Sequence, residues 1–245
     1  MATTATPWTG NQADKLYLNA GQFTSTIHDS EDVSAVANAT AGITVDGTNT
    51  PWCGNQADKL YLQAGQFTST LSDSEDVSAV DSGTQGISWD GENTPWCGST
   101  ADKLYLQSGQ FTSTIRDSDS VSAVDSAVFG ITYDGKNTPW AGAQADKLYL
   151  QSGKFTSTLL VSLSVTSVST APNGISWDGK NTPWSDGPGD KVILNAGQFT
   201  STILDSEALS GVDNGVQDVC TNDAAARVYG RALKSGYRRR HGSAA

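Results

Sequence analysis

Reactive side chains are scarce in this chain. Among 245 residues there are two histidines, one methionine and three cysteines. His28 falls at a repeat position that elsewhere holds Ser72, Arg116, Leu160 and Leu204, and His241 lies near the C-terminus. Neither belongs to a Ser/His/Asp or Cys/His set, and no Gly-rich phosphate loop is present. Cys53 and Cys97 occupy the same position in neighbouring repeats, where the others have Thr9, Ala141 and Ser185. Equivalent atoms of adjacent repeats lie farther apart than a disulfide spans. Free, inert thiols are therefore expected, with no metal site, no cofactor and no enzyme activity.

Long apolar runs are missing too. No stretch approaches the ~18 residues of a membrane span. Met1 to Thr6 has no basic or apolar segment, so no Sec-type signal peptide is expected and no membrane contact. Positive charge is the last shortage. Lys and Arg number 15 against 26 Asp and Glu. Six of the bases, but one acid (Asp223), lie in residues 221–245. The body thus carries about −16 and the tail about +5 by formal count. An acidic body excludes nucleic acid as a main ligand of residues 1–220, because phosphates need a basic surface.

What the chain has is a repeat. The Pro-Trp pair stands at Pro7-Trp8, Pro51-Trp52, Pro95-Trp96, Pro139-Trp140 and Pro183-Trp184, each step 44 residues. One unit reads from Gly86 to Gly130. Gly86-Ile87-Ser88-Trp89 is a short strand, and Asp90-Gly91 opens a tight turn. Thr94 to Gly98 is a second strand, edge-like or bulged at Pro95, which donates no ladder bond. Lys103 to Leu106 is a third strand with Leu104 and Leu106 on one face. Phe111-Thr112-Ser113-Thr114-Ile115 is taken as the fourth, from its β-formers. A polar connection through Asp117-Ser118-Asp119-Ser120 follows, pinned by Val121 and Val124.

Four short antiparallel strands in a repeat of this length make a propeller blade. Five units predict an all-β, five-bladed β-propeller over residues 1–220, with a basic tail at 221–245. The N-terminus enters at a second strand, and Gly215 to Val219 falls where a first strand is due. The first blade is expected to combine Thr6–Val36 with Gly215–Val219, which closes the ring and removes its free edges. Gly-Ile-Ser-Trp-Asp-Gly followed by Asp-Lys-Leu-Tyr-Leu resembles the blades of NHL/YVTN-like β-propellers, a lineage that hosts both enzymes and binding scaffolds. The near-identical tandem blades, with Asn-Thr-Pro-Trp and Phe-Thr-Ser-Thr, also resemble repetitive propellers encoded by bacteriophages and aquatic bacteria.

The repeated residues have two readings each. Trp8, Trp52, Trp96, Trp140 and Trp184 are candidate ligand platforms for sugar stacking, or inter-blade packing. Packing is favoured, since one aromatic per repeat is ordinarily core. The Asp-Gly-x-Asn turns offer one carboxylate each, which suits turn chemistry better than calcium. Asp14, Asp58, Asp102, Asp146 and Asp190 are read as turn caps. Acids that repeat with the blades do not supply the differentiated acid and base of a glycosidase. Leu159 to Val165 replaces an acidic connection with an apolar one, a candidate contact patch.

In the tail, Ala224 to Lys234 contains fair helix formers and sets Arg227, Arg231 and Lys234 on one face. With Tyr229, Tyr237, Arg238, Arg239 and Arg240 these are the candidate partner-binding residues. The resulting expectation is a non-enzymatic structural or adhesive propeller, a bacteriophage virion component such as a head decoration, neck or tail-fibre adhesin. It would dock through its tail to other virion proteins or to copies of itself. If not phage-encoded, it is expected to be soluble. The alternative is a lectin-like multivalent module that binds a host-surface glycan.

Overall fold

Each repeat alternates runs of β-forming residues with Gly, Asp and Asn turns, and each run becomes one strand. The structure, a computed structural model, describes residues 6–21, 24 and 26–221. Blade 1 contains β1 (Thr6–Gly10), β2 (Lys15–Asn19) and β3 (Ile27–Asp32). Blade 2 contains β4 (Thr40–Ile43), β5 (Thr50–Gly54), β6 (Lys59–Gln63) and β7 (Leu71–Asp76). Blade 3 follows with β8 (Thr84–Ile87), β9 (Thr94–Gly98), β10 (Lys103–Gln107) and β11 (Ile115–Ser120). Blade 4 has β12 (Val128–Ile131), β13 (Thr138–Gly142), β14 (Lys147–Gln151) and β15 (Leu159–Ser164). Blade 5 has β16 (Pro172–Ile175), β17 (Thr182–Asp186), β18 (Lys191–Asn195) and β19 (Ile203–Ala208). The last strand, β20 (Val216–Val219), returns to blade 1 and makes its sheet order β20-β1-β2-β3. The chain is a five-bladed β-propeller.

The inner strands β4, β8, β12, β16 and β20 pack against one another around the axis. Ring closure is antiparallel, with Trp8 opposite Val219 and Thr9 opposite Asp218. The Cys220 N–H donates to Pro7 O at 2.9 Å and the Asn11 N–H to Gly215 O at 3.1 Å. The core is divided into clusters between blades. One joins Cys97, Leu104 and Leu106 of blade 3 to Ile131, Trp140, Tyr149 and Phe155 of blade 4. Four further clusters repeat this pattern around the ring.

Three expectations are corrected. The fourth strand is Ile115–Ser120, not Phe111–Ile115. Phe111 instead sits in the preceding loop at φ 54° with its ring buried, as do Phe67, Phe155 and Phe199. Left-handed backbone is costly for a non-Gly residue, and a large ring placed in the inter-blade core offsets it. The outer strand looked like a loop because it lies at the rim, mostly exposed, and carries no buried alternation. Second, Pro95 lies in a central strand, neither edge-like nor bulged, and the bulge of this pairing falls in β8 between Thr84 and Gly86. Its carbonyl accepts Ser88 N–H at 2.8 Å, just past the end of β8, so the proline costs only the single return bond of that terminal pair. Third, Val121 is buried but Val124 is 43% exposed, so only the first pins the connection.

Candidate functional site at the propeller axis

Glycine recurs in the inner strands at Gly42, Gly86 and Gly130 because the strands approach closely there. A Cβ on Gly42 would lie 2.7 Å from Ile87 N, one on Gly86 2.8 Å from Phe129 O, and one on Gly130 2.6 Å from Asn173 O. Gly174 is the fourth in the series. At the fifth place stands Asp218, which breaks the repeat. Its Oδ2 accepts the Ile43 N–H at 2.9 Å, from blade 2, and its Oδ1 accepts its neighbour Val219's N–H at 2.9 Å. The Ile175 N–H of blade 5 donates to the same carboxylate. Three blades are thus tied at the axis by one side chain that is 2% exposed. Burial pushes the Asp218 carboxyl well above the usual carboxylate range, against the three N–H donors that pull it down.

A second ring surrounds it. The residue opposite the axial position is small: Cys53, Cys97, Ala141 or Ser185 opposite a glycine, and Thr9 opposite Asp218. The Cys53 Sγ accepts Gly42 N–H at 3.1 Å and reaches Gln85 O of the next blade at 3.5 Å. The Ser185 Oγ accepts Gly174 N–H at 2.7 Å and donates to Gln217 O at 2.8 Å. Thr9 Oγ1 accepts Asp218 N–H and donates to Ala41 O. A hydroxyl or thiol here links a strand to the next blade, which explains why Ser, Thr and Cys interchange. Cys53 and Cys97 are buried and form no disulfide, and burial pushes their thiols up, away from the reactive thiolate.

The five indoles are 0–1% exposed. Trp96 stacks on Tyr105 with ring centroids 4.2 Å apart, and Trp8, Trp52 and Trp140 stack likewise on Tyr17, Tyr61 and Tyr149. With no exposed face, Trp8, Trp52, Trp96, Trp140 and Trp184 give a sugar nothing to stack on. The Asp-Gly turns use their carboxylates locally and between blades. Asp90 Oδ1 accepts the Glu92 and Asn93 N–H groups at 2.9 and 2.7 Å, while Oδ2 meets Lys154 Nζ of blade 4 at 2.6 Å. Gln110 donates to Asp46 across the next boundary at 2.7 Å.

Asp14, Asp58, Asp102, Asp146 and Asp190 all take φ of 49–51°. Their carbonyls accept Val33, Val77, Val121, Val165 and Leu209 N–H groups at 2.7–3.0 Å. The side-chain cap forms at Asp14, from Ala39 N–H at 2.6 Å, and at Asp190, from Gly215 N–H. At Asp58 and Asp102 one carboxylate oxygen is buried without a partner, and burial followed by the nearby Asp81 or Asp125 pushes the carboxyl up. The feature shared by all five is therefore the turn of the backbone.

His28 is exposed on β3. Among the described residues no group of three His, Cys, Asp or Glu side chains is placed to hold a metal, and no helix is long and apolar enough to cross a membrane. Arg227, Tyr229, Arg231, Lys234, Tyr237, Arg238, Arg239, Arg240 and His241 lie outside the described residues. Sequence reading missed Asp218, although alignment of the repeats sets it opposite four glycines.

No family model and no curated protein matches the sequence. Solved structures share the fold. A chain of a nidogen/laminin complex superposes with a TM-score of 0.61 at 12% identity, covering 90% of this chain and 99% of that one. Glutaminyl cyclase from Myxococcus xanthus gives 0.52 at 12% identity, covering 79% and 74%. Virginiamycin B lyase from Staphylococcus aureus, with quinupristin, gives 0.52 at 12%, covering 86% and 70%. At this identity the likeness is of fold alone, and the fold hosts enzymes and non-enzymes together.

Proposed function

We propose that this chain is a non-catalytic structural or binding propeller, a rigid disc that serves within a larger assembly. The observation that carries the reading is where the repeat spends its polar chemistry. Asp218, the turn carboxylates and the Thr/Cys/Ser ring all join one blade to the next. Such contacts stiffen a scaffold, whereas a catalytic centre needs different groups converging on an accessible reacting atom. The finer proposal, resting on repeat style, is a bacteriophage particle component that docks through its basic tail. A lectin role would need residues other than the five interior indoles.

The test is quantitative mass spectrometry of the native source, split into purified particles or assemblies and soluble lysate. Enrichment in the assembled fraction at a fixed ratio to another component is expected. Recovery in the soluble fraction alone would overturn the reading.

A further inference from the structure

The outer strand of blade 4 ends its sheet, which runs β12-β13-β14-β15. Its sequence is Leu-Leu-Val-Ser-Leu-Ser, without a charge. Leu159, Leu160 and Val161 are consecutive and 40, 50 and 44% exposed. The other rim strands differ at the positions of Val161 and Leu163. They place Asp29 and Glu31, Asp73 and Glu75, Asp117 and Asp119, or Asp205 and Glu207 there. Charge on an edge strand is what keeps a second chain from adding to the sheet. Four rims have that guard and β15 lacks it.

We propose that β15 is a self-association edge, pairing antiparallel with β15 of a second copy about a two-fold axis at Ser162. Charge selects this occupant. Any other rim of a second copy would bring carboxylates against Val161 and Leu163, which strips them of water with no counter-charge. Paired with itself, the strand opposes Val161 to Leu163 on one face and Ser162 to Ser162 on the other, and apolar pairs across strands are favourable. The contact is isologous, so it closes at two copies. One strand pair buries less than the ~1,200 Å² of a standard interface, so the dimer is weak and concentration-dependent. The proposal is independent of any particle role and of the basic tail.

Sedimentation velocity of the full chain tests it between about 10 µM and 1 mM, the range of weak complexes. The control is Val161→Asp, the residue all four other rims carry, which sets two carboxylates beside the two-fold axis. The wild type should shift toward dimer with concentration, and the variant should associate at least about tenfold more weakly with an unchanged melting temperature, a difference of 1.4 kcal/mol. Amide exchange in the wild type should slow across β15 as concentration rises, a readout that needs no variant. A wild type that stays monomeric, equal association of the variant, or exchange in β15 indifferent to concentration would overturn the assignment.

Discussion

The Tyr105 hydroxyl donates to Asp81 Oδ2 at 3.1 Å across the boundary between blades 2 and 3. The same pairing joins Tyr149 to Asp125 at 3.1 Å and Tyr17 to Asp213 at 3.0 Å. At the other two boundaries both partners differ from the rule or one does. Ile193 replaces the tyrosine where Ser169 replaces the aspartate, and Ser169 then donates to Asp186 at 2.5 Å. Tyr61, facing Ala37, reaches only Val36 O at 3.5 Å. Burial first, and then the aspartate, push the Tyr105 phenol up, so it remains a donor.

Asp81 also accepts the Gly83 and Ala101 N–H groups at 3.1 and 3.2 Å. Asp81→Ala leaves three donors without their acceptor and should cost on the order of 3 kcal/mol. Tyr105→Phe should cost about 1–2 kcal/mol, and Tyr61→Phe less, because its bond is long. In a double-mutant cycle, denaturant unfolding should give a coupling of about 1–2 kcal/mol between Asp81 and Tyr105. Additive effects, or equal losses for the two tyrosines, would show that the hydroxyl contributes nothing.

The Asp218 carboxyl gives the fold a pH dependence of definite sign. Its proton is held more tightly folded than unfolded, so the folded state binds more protons between the unfolded value, about 3.9, and the raised folded value. Its contribution to stability therefore rises as pH falls through that window and is flat above it. Melting temperatures across the range, taken as wild type minus Asp218→Asn, should increase toward low pH. The subtraction removes the general effect of the acidic surface. A constant difference would mean the carboxyl titrates alike in both states.

The indole nitrogens offer a third check. Trp8 and Trp184 donate to Asn19 and Asn195 Oδ1 at 2.7 and 3.0 Å, and those amides donate onward to Thr24 O and Thr200 O. In blade 3 the equivalent residue is Gln107, and neither its amide atoms nor the Trp96 N–H has a partner. Asn195→Gln should lose two buried bonds and overfill the site, lowering stability by about 2–3 kcal/mol. That corresponds to several degrees in melting temperature, at about 2–4 °C per kcal/mol. Gln107→Asn should not lower it, since the bonds gained offset the lost methylene. Equal losses in both directions would mean that side-chain volume alone matters.

Much of the fold was legible in the residues. The 44-residue period set the number of blades, and the placement of Gly215–Val219 relative to Gly174-Ile175 showed that the last strand completes the first blade. Asp90-Gly91 could be read as a turn because only local backbone geometry is involved. Phe111–Ile115 was misread because propensity sees β-formers, while the structure uses Phe111 as an anchor whose cost is offset by a neighbouring blade. Ile115–Ser120 was missed as a strand because a rim strand buries little and need not alternate.

The sequence by itself determined what is periodic: the blade, its turns, the number of copies and the join of the two termini. Periodic information survives in one dimension because the strands of blades 2 to 5 each pair within one 44-residue unit, although their cores lie between blades. The tertiary structure alone decided which repeated groups face inward and which meet across a boundary. Trp96 could be a platform or a packing group until a stacked tyrosine and the adjoining blade covered it. Asp218 was one acid among 26 until β4 and β16 met β20 at its carboxylate. Its role depends on backbone N–H groups of Ile43 and Ile175, 175 and 43 residues away in the chain. Only closure of the ring brings those groups to one carboxylate, and no local pattern encodes a contact made by closure.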